Sequence, residues 1–230
     1  AATTLRGFCL EASEAAHVAD VLAEVSARTN ATVADTGEAM KYIAPIANAM
    51  GLSLEETAAA IGLLSDAGIK GSQAGTTLRG ALSRLAKPTE DMLEVMDSLG
   101  LSFYDSNGQM KSISSIVGML KNNMASLTEE QKQNALVTLF GQEALSGMMV
   151  LMEAGPEKLD ELTRSLENCE GAASEMSEVR LDNLAGDMEE LSGAVETAKL
   201  ELMESSTHIS ALRYSGSPRR FLSSSRSWKI

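Results

Sequence analysis

The sequence predicts an all-α protein: a multi-helix body with one short β-hairpin, followed by a long amphipathic heptad helix. Three observations carry that expectation. Helix-start and helix-stop residues recur at helix-length intervals, apolar residues fall at spacings of three and four, and a single short stretch alternates instead. With 44% hydrophobic and 22% charged residues in 230, the chain can bury a core and is not disordered by composition.

Taken in order, the elements begin with an apolar helical stretch, Ala15 to Leu22, in which His17 reads as a residue at the surface or core edge. A second helix is expected from about Val33 to Met50, with Pro45 inside it as a kink or a break. Ser53 opens a capping box with Glu56, and Gly68 is placed to stop that helix after Ala67. The next helix begins near Ser72 and ends before Pro88. Thr89 precedes the acidic pair Glu90 and Asp91, which suits the positive end of a helix dipole, and Gly100 closes the segment. Thr128 and Gln131 form a further capping box. Gly155-Pro156 separates two more helices, with proline in a first-turn position.

The stretch that alternates is Leu101 to Lys111, where Asn107-Gly108 signals a hairpin turn. Asp105 and Asn107 invite a calcium-loop reading, but Gly108 stands too early and Ile116 occupies the place of the closing glutamate. A plain turn fits better.

Leu181, Leu184, Met188, Leu191, Val195, Ala198 and Leu202 alternate strictly between spacings of three and four. That is a heptad seam, and Leu181, Leu184, Met188, Leu191, Val195 and Leu202 are its candidate oligomer contacts. Leu159, Leu162, Leu166, Cys169 and Ala173 show the same spacing, with a change of phase before Leu181. Either stripe can serve a self-associating rod or a helix packed on its own domain. The expected organisation is a helical core over 1–170, the heptad helix over 171–204, and a basic, Ser-rich tail over 205–230. That tail holds Arg213, Arg219, Arg220, Arg226 and Lys229, no acid, and the only Trp, Trp228. Its abrupt change of composition favours a disordered end or an out-of-frame translation over a segment that binds an acidic surface. The chain starts at Ala1 rather than Met, which points to a fragment. Residues 1–7 (AATTLRG) recur nearly unchanged as 74–80 (AGTTLRG), compatible with a tandem helical unit or with chance.

Composition excludes several functions. Lys+Arg number 19 against 32 Asp+Glu, a formal charge of −13, which repels phosphate backbones and argues against nucleic acid as a partner. Aromatics at 3% leave little for base stacking. Cys9 and Cys169 form no CxxC, so neither a zinc ribbon nor a disulfide framework is expected. No apolar run approaches the ~18 residues of a membrane span. Met148 to Met152 is too short and reads as core. No GxSxG, HExxH or P-loop occurs, and no catalytic, cofactor or metal residues are assigned. Asn30-Ala-Thr32 matches a glycosylation sequon but has no secretory signal beside it.

The one Gly-rich loop is Gly68-Ile-Lys-Gly-Ser-Gln-Ala-Gly75, with Lys70 and Ser72 before a helix. An anion could sit at that helix start. No strand precedes the loop, so Gly68, Gly71 and Gly75 read instead as a tight turn between two helices. The run from Leu52 through this loop to Arg79 resembles the core signature of tail tape measure proteins of long-tailed phages and prophages. Thr32-Val-Ala-Asp and Glu38-Ala-Met-Lys-Tyr-Ile-Ala-Pro45 upstream are similar too, as are Leu85-Ala, Tyr104-Asp-Ser-Asn-Gly108 and Leu139-Phe-Gly-Gln-Glu-Ala144 downstream. The resemblance spans about residues 13–170.

That family implies a structural role rather than an enzyme. Its members are long, mostly helical proteins that lie in the lumen of the growing tail and set its length. Tail tube protein polymerises around them after a tail assembly chaperone has coated them. The implied locations are the virion tail lumen and, during assembly, the host bacterial cytoplasm. The implied partners are tube protein, chaperone and further copies of the chain through the heptad helix. Gly68, Lys70, Gly71, Ser72 and Gly75 are the signature turn. The chain is shorter than a ruler should be, and its basic tail fits a truncated or frameshifted copy. Some members carry peptidoglycan-cleaving or membrane-inserting segments, and nothing here matches either. The rival readings are a generic helical interaction module, a cell-wall lytic enzyme and a membrane-inserting tail component.

Overall fold

The computed structural model describes residues 2–214, without the side chains of 185, 189, 190 and 198–214. Among the described residues there are ten α-helices and no strands: α1 (Ala2–Gly7), α2 (Ala15–Arg28), α3 (Val33–Ala49), α4 (Leu54–Asp66), α5 (Ser72–Ala86), α6 (Glu90–Ser98), α7 (Ile113–Asn123), α8 (Glu129–Phe140), α9 (Gln142–Glu167) and α10 (Ala172–Tyr214). A 3₁₀ turn, Ala12–Glu14, leads into α2. The chain forms two compact units, Ala1–Ser177 and Glu178–Ile230.

In the first unit two helices act as hubs. Helix α3 packs against α1, α2, α4 and α5, and α9 packs against α2, α4, α5, α7 and α8, while α6 rests on α8. Helix α4 lies between the hubs, which explains its composition. Leu54, Thr57, Ala58, Ala59, Ala60, Ile61, Gly62, Leu64 and Ser65 are all buried, so it presents small or apolar groups on nearly every side. Helix α2 is one-sided instead. Val18, Val21, Leu22 and Val25 are buried, and His17, Asp20, Glu24 and Arg28 follow the complementary polar spacing. The repeated heptapeptide forms part of α1 and part of α5, and both helices pack on α3.

Of the two expected capping boxes, the one at Thr128 forms in full, and further caps appear that were not expected. Thr32 and Asp35 close a reciprocal capping box on α3, and Thr128 and Gln131 do so on α8. Thr89 and Ser112 cap α6 and α7. Pro45 does not break α3, which runs on to Ala49. At Ser53 only half of the expected box forms. The Ser53 hydroxyl accepts from the Glu56 N–H, but the Glu56 carboxylate is taken by the Ile113 N–H at the start of α7. Gly155 departs from helical geometry (φ 84, ψ 164) ahead of Pro156, so the expected separation appears as a break inside α9.

The expected β-hairpin over Leu101–Lys111 is corrected to a loop with one isolated antiparallel bridge, Tyr104 to Met110. A two-residue Asn-Gly turn needs a positive φ at both positions. Gly108 has φ 78, whereas Asn107 is not among the positive-φ residues. The Asp105 carboxylate accepts instead from the Asn107 and Gln109 N–H groups (2.8 and 2.9 Å), folding the segment as an Asx-type turn. Phe103 and Met110 point into the core beneath it.

Four helix ends share a left-handed terminating residue and a six-to-one bond from the apolar residue directly after it. The residues are Cys9 (φ 55), Gly51 (φ 79), Gly68 (φ 88) and Gly100 (φ 61), and the bonds run from Leu10, Leu52, Ile69 and Leu101 to Leu5, Ala47, Leu64 and Met96. Cys9 alone among the four carries a β-carbon. Cys9→Gly should therefore raise stability by about 0.5–1 kcal/mol, because relief of the left-handed strain exceeds the added entropy of the unfolded chain. The urea midpoint checks it.

Helix α10 continues to Tyr214, past the expected boundary at 204. Residues 215–230, with most of the basic tail, lie outside the described residues.

Candidate functional site

The Gly-rich turn between α4 and α5 is held against the turn between α2 and α3. Asp66 Oδ1 accepts from the Asn30 N–H (2.7 Å), and Lys70 Nζ donates to the Asn30 carbonyl (2.6 Å). Both peptide groups of one residue are thus held by side chains flanking the signature loop. Lys70 also adds to the lowering of the Asp35 pKa, though hydrogen bonds from Thr32 are the larger cause. Gly71 is buried with φ 54 and ψ −131 at the head of α5, a conformation that glycine alone adopts without strain. Ser72 is exposed, and its carbonyl accepts from the Thr76 hydroxyl. One turn further on, a β-carbon on Gly75 would lie 2.3 Å from the Ala39 carbonyl oxygen, so α5 and α3 cross nearly backbone to backbone. The Arg79 guanidinium stacks 5.9 Å above the Tyr42 ring and spans the same pair of helices.

This arrangement makes a helix crossing rather than a ligand cradle. The lysine that could have faced an anion is bonded to a backbone carbonyl, and the glycines sit where backbones approach or reverse.

Around it, polar side chains of one helix terminate another. The Arg84 guanidinium on α5 donates to the Thr138 and Leu139 carbonyls at the end of α8 (3.0 and 3.3 Å). Glu56 on α4 serves the start of α7, and burial raises its pKa against those backbone bonds. Asp20 on α2 accepts from the Gly171 and Ala173 N–H groups at the start of α10 (3.1 and 2.9 Å). Sequence reasoning missed all three because the partners are far away in the chain. The faint signal was an acid interrupting an apolar run, as Asp20 does between Val18 and Val21.

His17 lies at the core edge and meets Glu55 at 2.6 Å. Cys169 is buried, its thiol pushed up to about 11 by burial and by Asp20, Glu24 and Glu55 nearby. Cys9 is exposed. Among the described residues no group of three His, Cys, Asp or Glu side chains could hold a metal ion. A cleft of about 280 Å³ between α2, α4 and α9 is lined by Arg28, Asp66, Lys158, Glu161 and Ser165. Its charges are partly spoken for: Arg28 pairs with Glu24, and Asp66 holds Asn30. No single described helix is long and apolar enough to cross a membrane. Helices α8 and α9 pass by length and composition only as a pair bent by 119°, and their Leu136, Leu139, Met148 and Leu151 are buried in the core.

The two leucine stripes meet opposite fates. Leu159, Leu162, Leu166 and Cys169 are buried in the first unit, whereas Leu181, Leu184, Met188, Leu191 and Val195 are 63%, 57%, 61%, 59% and 46% exposed. Leu202 and Ala198 lie outside the described side chains. The second stripe is thus a run of exposed apolar residues at heptad spacing.

Helix crossings, caps that tie one helix to the next and an exposed apolar stripe define a helical scaffold. Consistent with this, a family model described as phage-related minor tail protein matches residues 1–141, and the chain belongs to that family. It is 57% identical over 199 residues to the tape measure protein of Pneumococcus phage Dp-1, covering 86% of this chain and 17% of that relative. It is 37% identical over 203 residues to the probable tape measure protein of Escherichia phage P2, covering 86% of this chain and 24% of that relative. The chain thus spans between 17% and 24% of the length of these relatives. No solved structure matches it.

Proposed function

We propose that this chain is a segment of a tape measure protein, a structural component of the phage tail that templates tube assembly and sets tail length. The observation that carries the reading is likeness to two proteins of that name over 86% of the chain. The physics agrees with it. A helix advances ~1.5 Å per residue, so a chain held as a helical rod converts residue count into distance. The first unit supplies a rigid base, and the stripe from Leu181 to Leu202 lets copies bundle and keeps the rod straight. The partners are further copies of the chain, tail tube protein and a tail assembly chaperone. The places are the tail lumen and, before completion, the host cytoplasm. The role is architectural and uses no cofactor.

The test is an in-frame deletion of residues 181–201 in the full-length tail protein of the phage. It removes three whole heptads and preserves the phase of the residues beyond the deletion. The tails that form should be shorter by about 30 Å, measured by electron microscopy. Tails of unaltered length would refute the ruler.

A further inference from the structure

The polar face of α2 touches three different helices. His17 pairs with Glu55 on α4, Glu24 accepts from the Ser165 hydroxyl on α9 (2.9 Å), and between them Asp20 spans the first N–H groups of α10. We propose that this stripe, with Asp20 at its centre, is a releasable latch on the α9–α10 turn, and that Gly171 is the hinge it holds. The inference goes beyond the tape measure reading and concerns how the base of the C-terminal helix is fixed.

The turn has one firm anchor and one weak segment. Cys169 is 4% exposed, with its thiol on the Leu166 carbonyl (2.9 Å). Glu170 and Gly171 beyond it are exposed, and Gly171 has φ 87. In the first turn of α10, Ala172, Ala173 and Met176 are half-buried and Ser174, Glu175 and Ser177 are exposed. Little apolar burial therefore holds this turn, and few other contacts resist its opening. The Asp20 carboxylate supplies what burial does not. One oxygen accepts from Gly171 and the other from Ala173, so a single side chain satisfies two orphan donors and faces the positive end of the helix. Both N–H groups can reach water once the carboxylate leaves. Release therefore costs two hydrogen bonds but leaves no buried polar group unpaired. Such a contact opens locally, without unfolding the core.

Amide hydrogen exchange at constant pH tests this. In the wild-type protein the amides of 171–176 should exchange by an opening insensitive to low urea, while those of α4 and α7 wait for global unfolding. Asp20→Ala should speed exchange at 171–176 by about tenfold or more and leave α4 and α7 unchanged. Asp20→Asn, which keeps one acceptor, should fall between. Unchanged exchange at 171–176 in Asp20→Ala would overturn the latch. So would wild-type exchange there only on global unfolding, or a loss of protection spread equally over the whole body.

Discussion

Gly75→Ala should cost about 3 kcal/mol or more of stability, although alanine is ordinarily the better helix former. The new β-carbon would lie 2.3 Å from the Ala39 carbonyl oxygen, 2.9 Å from its Cα and 3.0 Å from its carbonyl carbon. All three are backbone atoms and cannot rotate away. Retreat of α3 is blocked on its other side, where α1 comes so close that a β-carbon on Gly7 would meet Ala44 at 2.5 Å. Retreat of α5 is blocked by α8 and α9. Gly80 provides the contrast within the same helix. Nothing lies within 4 Å of its β-carbon position, so Gly80→Ala should gain about 0.5–1 kcal/mol. Urea unfolding of both variants measures the difference, and equal effects would show that the α3–α5 crossing is not as close as described. The repeated heptapeptide follows the same logic. Where α5 has Gly75, α1 has the exposed residue Ala2, because no backbone presses there.

Leu184→Lys with Leu191→Lys should abolish self-association. Both residues sit on the heptad stripe in the Glu178–Ile230 unit, 57% and 59% exposed. Burying a leucine contributes about 1.5–3 kcal/mol, and a lysine in its place must also be desolvated. Two such changes in a short seam should weaken association by about 100-fold or more. Sedimentation velocity should show the wild-type chain as an oligomer and the variant as a monomer. The thermal unfolding of the first unit should not move, since neither residue belongs to it. A monomeric wild-type chain at tens of micromolar, or an unchanged mass in the variant, would remove self-association from the proposed function.

Several elements were legible in the sequence because their causes are local. The boundaries of α5 and α6 follow from Pro88, Thr89 and Gly100, each acting on backbone groups within a few residues of itself. Of the three glycines expected in one turn, Gly68 (φ 88) and Gly71 (φ 54) have left-handed turn backbone, whereas Gly75 lies inside α5, where it admits the α3 backbone. The loop at Leu101–Lys111 was misread where two local signals competed. Asn107-Gly108 favours a two-residue hairpin, but Asp105 offers its carboxylate to the same backbone groups and wins. Glu56 was misread because its N–H obeys the local capping rule while its carboxylate answers to α7.

The two leucine stripes mark where local reading stops. Sequence alone determined the helical class, the caps, the acidic charge and the existence of both stripes, since each depends on residue type and on spacing along one helix. Only the tertiary structure decided that Leu159 to Cys169 close the core while Leu181 to Val195 remain exposed. It also decided that Asp20, Glu56 and Arg84 each terminate a helix other than their own. Periodicity specifies that a face is apolar, but what covers that face depends on contacts between segments distant in the chain, and spacing along one helix carries no information about those.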